Sequence, residues 1–366
     1  MKITRIECVP YTIPYRHPIV AASGTLDGAE HVLIRVHTDE GLVGVSEAVV
    51  RSFVYGESQA SIVEAVRLWF EPALIGADPF AVEENRARVA WIIANNTVHG
   101  AIDIALHDLR GKATGMPCWR LLGGTGQSMR VSHLLTGEPD EAGEEAAEVA
   151  RSQGLTAFKI KTGGDVREDI ARVAAVRKAV GDHAFIFVDS NHGWTAEQAI
   201  RALTVMADYG VELVEEPSPA SDLIGRQRLA RQIPVTVMAD ESASTIADAA
   251  RELATGSARA LSIKTTRTGF TDSAKLVALA EALGARALIG SQADGMIGAA
   301  AGLAFGSAFP SVAREPGELD FYTILSDQLV VDQLVVKDGR LTPSTKPGIG
   351  VQIDDDKLRH YRIDTK

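Results

Sequence analysis

From residue 130 onward the chain repeats one pattern, a short apolar run followed by a polar, alanine-rich stretch. The runs are RVSHLL (130–135), AFKIK (157–161), AFIFVD (184–189), VELVEE (211–216), VTVMAD (235–240), ALSIK (260–264) and RALIG (286–290). Between them lie segments with helical spacing, such as VREDIARVAAVRKAVG. Strands that are apolar on both faces belong in a parallel sheet covered by helices. Seven or eight such units at a period near 25 residues predict a closed α/β barrel. An open doubly wound sheet also fits the alternation, but it would not bring five consecutive strand ends around one cavity.

The first part of the chain has a different texture. Residues 1–38 read as strands, and HVLIRVHTDEGLVGVSEA reads as a hairpin turning around Asp39, Glu40 and Gly41. Helices are expected over 57–74, 79–94 and 97–114. The second starts after Asp78 and Pro79, and the third stops at Gly115. These elements predict an α+β domain over 1–124, ahead of a barrel over 125–324. The rest, 325–366, carries strands of its own and the turn-rich KPGIG, and is expected to pack back on the first domain.

Composition narrows the partners. A net charge of −11 argues against nucleic acid and against anionic membrane surfaces. It leaves room for a small anionic substrate, because cations in a cleft outweigh a distant field. The only cysteines, Cys8 and Cys118, suggest free thiols in a reducing compartment. The N-terminal MKITRIECVPYTIPY lacks the apolar core of a signal peptide, so a cytoplasmic location is expected. The weakly polar stretch 295–309 is short for a membrane span and reads as a packed helix.

Sites in parallel barrels form at the C-terminal ends of the strands. Lys161, Asp189, Glu215, Asp240 and Lys264 all stand there, with gaps of 28, 26, 25 and 24 residues. A lone acid at a strand end usually caps the next helix. Three on consecutive strands point to a shared ligand, and oxygen donors alone select Mg²⁺ or Mn²⁺ over zinc. Asn191, Glu216 and Glu241 lie beside these acids, either supporting them or capping helices. Lys159 and Lys161 flank Ile160 and so face the same way. Their closeness to each other and to a cation is expected to lower a lysine pKa toward that of a general base. Lys264, on the sixth strand, is expected to face Lys161. The set fits metal-assisted making or breaking of a C–H bond next to a carboxylate.

Other residues are weaker candidates. His133 reads as a core histidine or a cavity contact, and His192 as a surface residue. The backbone of GSQADGMIG (290–298) is suited to holding a substrate carboxylate, with Gln292 and Asp294 as contacts, or with Asp294 orienting a lysine. Two lid loops are expected, 16–25 and 50–58, offering Ser23, Arg51 and Tyr55 to the substrate. A Schiff-base lysine aldolase is an alternative, which the carboxylate triad disfavours. A catalytically silent binding protein on the same scaffold is another.

At these residues the sequence resembles the enolase superfamily, in its muconate-lactonizing branch. AIDIALHDLRGKATG with WRLLGG resembles the end of that family's capping domain. KIK, VDSN, VEEP, MADES and SIKTTRTGF resemble its barrel-strand signatures in the same order. The resemblance covers the whole chain and implies an α+β capping domain on a modified TIM barrel, (β/α)₇β. It implies Asp189, Glu215 and Asp240 as Mg²⁺ ligands, Lys161 and Lys264 as the acid/base pair, and a homo-oligomer. SIKTTRTGF, GSQADGMIG and KPGIGVQIDDDKLRHY look most similar to bacterial muconate cycloisomerases. The implied reaction is interconversion of cis,cis-muconate and muconolactone through a metal-stabilised enolate, with Lys159 also stabilising the charge. Dipeptide epimerases, N-acylamino acid racemases and o-succinylbenzoate synthases share the lysines. The epimerases carry an Asp-x-Asp pair where this chain has Gln292, Ala293 and Asp294.

Overall fold

The computed structural model describes residues 1–21 and 24–364. Strands β1 (Ile3–Ala21), β2 (Gly24–Thr38) and β3 (Val43–Val49) form an antiparallel sheet in that order. The β2–β3 turn uses Gly41 at φ 78°, a conformation that glycine adopts without strain. β1 and β2 pair as far as Ala21 with Gly24, so the described residues of the stretch 16–25 belong to the two strands of a long hairpin. Ser23, named there as a substrate contact, lies outside the described residues.

One face of the sheet packs on helices. Gln59–Ala65 runs through a π turn (Val66–Phe70) into Glu71–Leu74, and Val82–Val89 and Asn96–Thr114 follow. Val32, Ile34 and Val36 of β2 meet Val98, Ala101 and Ala105 of the long helix in one buried cluster. The long helix stops at Gly115 (φ 70°), as expected. The helix expected over 79–94 is shorter. Asp78 Oδ1 accepts from Phe80 N (2.9 Å), capping a turn and not a helix, and Asn95 takes φ 65° and breaks the chain before Asn96.

The barrel strands are β4 (Met129–Leu135), β5 (Ala157–Lys161), β6 (Phe185–Asp189), β7 (Val211–Glu215), β8 (Thr236–Ala239), β9 (Ala260–Ile263), β10 (Arg286–Ile289) and β11 (Pro316–Gly317). They are parallel, in the order β11-β4-β5-β6-β7-β8-β9-β10. Glu318 N donates to Ile289 O (2.9 Å), which closes the ring. Inside, Ala157, Phe187, Leu213, Met238, Ala260 and Leu288 form an apolar plug. Helix Met296–Gly306 is buried along its whole length. No helix among the described residues is long and apolar enough to cross a membrane.

The C-terminal segment touches both parts. Its strand β12 (Arg340–Leu341) pairs with β4. Gly348 O accepts from Cys118 N (2.7 Å), Ile349 N donates to Asp108 Oδ1 (2.9 Å), and Ile363 N donates to Pro10 O (3.0 Å).

Candidate active site

Strand register assembles the site. Lys161 pairs with Asp189, and Asp189 with Glu215, so these three form one row across β5, β6 and β7. Met238 is the partner of Glu215, which leaves Asp240 just past the end of β8. Lys264 directly follows β9. In a ring of eight strands β9 is four places from β5, so Lys264 and Lys161 enter from opposite walls, as expected.

The three acids are fully buried. Glu215 Oε2 is paired with Lys159 Nζ (2.6 Å), while Oε1 is buried without a partner among the described residues. Burial raises the Glu215 pKa well above the carboxylate range, Lys159 opposes that rise, and Asp189, Glu318 and Asp240 add to it. Asp189 and Asp240 go the other way. Burial would raise them too, but Lys159 and Lys161 hold Asp189 low, and Lys264 and Arg267 hold Asp240 low. Three buried carboxylates at adjacent strand ends, one with an unpartnered oxygen, make an oxygen-only donor set of the kind that suits a hard divalent cation.

The lysines correct one expectation. Lys159 is buried, with Nζ 2.9 Å from Asp189 Oδ2 and 2.8 Å from Glu318 Oε1. Burial pulls its pKa down, yet the surrounding carboxylates outweigh burial and leave it well above the ordinary value. Lys264 is likewise raised: burial lowers it, and Asp240, its ion-pair partner, dominates. The crowding of lysines is therefore overcome by acids. Lys161 Nζ donates to Asp189 Oδ2 (2.6 Å) and Asn191 Oδ1 (2.5 Å).

The neighbours of the acids are held tightly. Asn191 N donates to Asp189 Oδ1 (3.0 Å). Glu216 Oε1 accepts from Asp240 N (2.6 Å), Ser242 N (2.9 Å) and Ser242 Oγ (2.5 Å), while Arg226 Nη1 reaches Oε2 (2.9 Å). Glu252 backs Arg226 in turn (3.2 Å). This buried chain fixes Asp240. Glu216 and Asn191 both take φ 40°, a strained setting that surrounding contacts must enforce. Glu241 Oε1 accepts from Asn191 Nδ2 (3.4 Å).

Two expectations change, at His192 and at Asp294, while His133 keeps its reading as a satisfied histidine. His192 is half-buried, not a surface side chain; Ser218 O lies 3.1 Å from its Nδ1. Burial lowers its pKa, but Glu241 and Glu216 raise it to about 9. One donor atom each from His192, Glu216 and Glu241 lies within 4.8 Å of the others, but the Glu216 oxygens are already taken. His133 is satisfied by Asp320 (2.6 Å) and Glu145 (3.0 Å). Asp294 is buried and accepts from Thr266 Oγ1 (2.8 Å) and Ser291 Oγ (2.9 Å), so those hydroxyls hold it, and the expected orientation of a lysine gives way to them. Gln292 Nε2 also donates to Thr266 Oγ1 (3.0 Å), leaving Gln292 Oε1 without a partner among the described residues.

From the N-terminal domain, the short helix Ser52–Tyr55 starts after Arg51 and brings Tyr55 OH within 3.4 Å of Arg267 Nη1. The sequence reading passed over Arg267 and Glu318. Arg267 Nη1 donates to Asp240 Oδ1 (2.8 Å) from inside SIKTTRTGF. Glu318 follows the two-residue β11, where no apolar run announces a strand.

Residues 4–123 match the family described as mandelate racemase / muconate lactonizing enzyme, N-terminal domain. Residues 141–357 match enolase C-terminal domain-like. The chain belongs to the enolase superfamily. Within that superfamily it is a muconate cycloisomerase-like enzyme of the isomerase/lyase class. It is similar to the crystal structure of muconate lactonizing enzyme from Mycobacterium smegmatis complexed with muconolactone, with 44% identity, TM-score 0.97 and all of both chains covered. It is 32% identical to a chloromuconate cycloisomerase of Cupriavidus necator, over 99% of each chain. It is also 33% identical to a hydrophobic dipeptide epimerase of Enterococcus faecalis, over 80% of this chain and 83% of that one. Members of the superfamily bind Mg²⁺.

Proposed function

We propose that this enolase-superfamily enzyme is a Mg²⁺-dependent cycloisomerase that interconverts cis,cis-muconate and muconolactone. The observation that carries the reading is the row Lys161–Asp189–Glu215, its two acids buried, with Glu215 Oε1 unpartnered and a second amine entering from the opposite wall. The similarity to the muconolactone-bound enzyme supports the substrate.

Asp189, Glu215 and Asp240 are the residues that would hold Mg²⁺. When bound, the cation supplies electrostatic stabilisation of the negative charge that develops on one substrate carboxylate. Lys159, anchored by Glu318, adds a fixed positive charge beside that carboxylate. The distal carboxylate oxygen adds to the diene and closes the lactone ring. Lys161 or Lys264 delivers one proton to the carbon next to the other carboxylate. In reverse the same amine removes that proton and the ring C–O bond breaks. Acid–base help of this kind contributes about 10²–10⁴-fold. Tyr55, Arg51 and the loop Gln292–Asp294 cover the substrate from above.

Epimerisation of a dipeptide is the second reading, favoured by the relative from Enterococcus faecalis. It needs acids for an ammonium group, and the loop after β10 offers Asp294 alone, already bonded to two hydroxyls. The test is a screen of muconate, muconolactone, dipeptides and N-succinyl amino acids with Mg²⁺. It follows muconate absorbance and exchange of the α-proton in D₂O. Turnover of muconate supports the proposal; exchange confined to dipeptides or N-succinyl amino acids replaces it.

A further inference from the structure

The barrel helices do not all begin in the same way. At the helix after β4 Glu138 N donates to Glu141 Oε2 (3.1 Å), and Asp165, Thr195, Asp222 and Thr245 accept from the first-turn N–H groups of the helices after β5, β6, β7 and β8. The helices after β9 and β10 have no such side chain at their own N-caps, Lys264 and Gly295. An uncapped helix start leaves N–H groups without partners and a positive dipole end; at the second helix Gln328 Oε1 takes up one of them, accepting from Met296 N (3.3 Å).

At both helices a carboxylate arrives from the N-terminal domain. The run Thr265–Ala282 breaks at Gly269 (φ 64°, ψ −176°) and restarts. At the restart Asp103 Oδ2 accepts from Phe270 N (2.6 Å) and Thr271 N (2.9 Å), and Oδ1 accepts from Thr271 Oγ1 (2.6 Å). A Cβ on Gly269 would lie 2.5 Å from Asp103 Oδ2, and one on Gly100 would lie 2.5 Å from Thr266 O. The long helix of the first domain thus presses directly on the single turn between Lys264 and the break. That turn carries Arg267, which holds Asp240.

Glu47, buried on β3, serves the other helix. A Cβ on Gly295 would lie 2.8 Å from its Oε2, and one on Gly298 would lie 2.6 Å from its Oε1, so the carboxylate packs over the first turn of Met296–Gly306, with Oε1 buried and without a hydrogen-bond partner among the described residues. Tyr11 OH donates to Oε2 (3.0 Å) and fixes its direction. Immediately before this turn stands Asp294, bonded to Thr266, so the two loops are tied to each other.

We propose that Asp103 and Glu47 are positioning residues supplied by the N-terminal domain: Asp103 caps the restarted helix by hydrogen bonds, and Glu47 holds the first turn of Met296–Gly306 by close packing of its carboxylate. Through them the domain sets Lys264, Arg267 and the Gln292–Asp294 loop, in addition to covering the cavity. The proposal rests on reading Lys264 as an acid/base residue. A reacting group displaced by about 1 Å loses about 10²-fold in rate.

The test compares D103A, D103N, E47A and E47Q in the full chain, by steady-state kinetics and by hydrogen exchange of backbone amides. D103A is expected to lower kcat about 10²-fold with KM changed less than about threefold. D103N keeps an oxygen for the two N–H groups and is expected to recover most of that loss. E47A is expected to raise KM about tenfold with a smaller change in kcat, and E47Q to restore it. Exchange is expected to accelerate in 264–272 for D103A and in 290–298 for E47A, each without the other. Wild-type kinetics in both alanine variants, or acceleration spread evenly over the barrel, overturns the proposal. If the wild type turns over none of the acids screened, the substrate reading fails. The exchange pattern, and its reversal in D103N and E47Q, then decides the positioning by itself.

Discussion

Lys161 and Lys264 approach the same cavity from opposite walls, but in different surroundings. The Lys161 side chain is 35% exposed and is held by Asp189 and by the amide of Asn191. The Lys264 side chain is 8% exposed, paired with Asp240 and overlooked by Tyr55 and Arg267. One amine can trade its proton with water; the other is sealed beneath the N-terminal domain. The two halves of the site are alike in chemistry and unlike in solvation, so the stereochemical course depends on which half delivers the proton.

The largest predicted effect removes what both halves share. E215Q should lower kcat/KM by about 10³-fold or more, because on the proposed reading it would withdraw a ligand from a cation worth several kcal/mol. Titration with Mn²⁺ should show the binding weakened in parallel. Activity retained with binding lost would separate the chemistry from the carboxylate row.

Next come the amines themselves. K161A and K264A should each lose about 10²–10⁴-fold, at least for the amine that carries the proton. Small primary amines added to the assay should restore K161A more than K264A, since only the first leaves a space open to solvent. Equal rescue, or rescue of K264A alone, would break the contrast in solvation.

A smaller effect is expected at Arg267, which belongs to the Lys264 half. R267M leaves Asp240 without its guanidinium partner and should weaken Mg²⁺ binding about 10–100-fold, with the Lys161 half undisturbed. Calorimetric titration measures the first, and amide exchange in 157–165 the second.

The smallest effect concerns the other half. His133 pins Asp320, two residues past Glu318, which anchors Lys159. Burial lowers the His133 pKa, but Asp320 and Glu145 raise it to about 10 from the ordinary 6.5. A raised pKa means that the folded chain binds the proton more tightly, so this contribution to stability is complete below pH 6.5 and lost as pH climbs toward about 10. The Tm gap between wild type and H133Q should therefore narrow across that window. A gap independent of pH would show that the imidazolium contributes nothing.

The sequence made the first half of each barrel unit legible. Asp189, Glu215 and Asp240 end apolar runs at a fixed period, and the period alone places them around one cavity. Lys159 and Lys161 were legible for the same reason, through strand alternation. β11 was not, because two residues carry no periodicity, and Glu318 was lost with it. Arg267 lies within a quoted motif, but only the tertiary turn after Lys264 directs it onto Asp240. The upward direction of the Lys159 pKa was not legible, because the effect of the acids around it depends on distances that spacing does not supply. Asp103 and Glu47 were invisible in these roles, since each serves a helix in another part of the chain.

The central claim is that the acids on β6, β7 and β8 gather one divalent ion and that amines bracket the substrate carbon beside it. Anomalous diffraction from crystals soaked in Mn²⁺ and muconolactone tests this most directly. The account predicts one peak bonded to Asp189, Glu215 and Asp240, with Lys161 and Lys264 on opposite faces of the ligand. A peak seated instead among His192, Glu216 and Glu241, or a ligand that neither amine approaches, would contradict it.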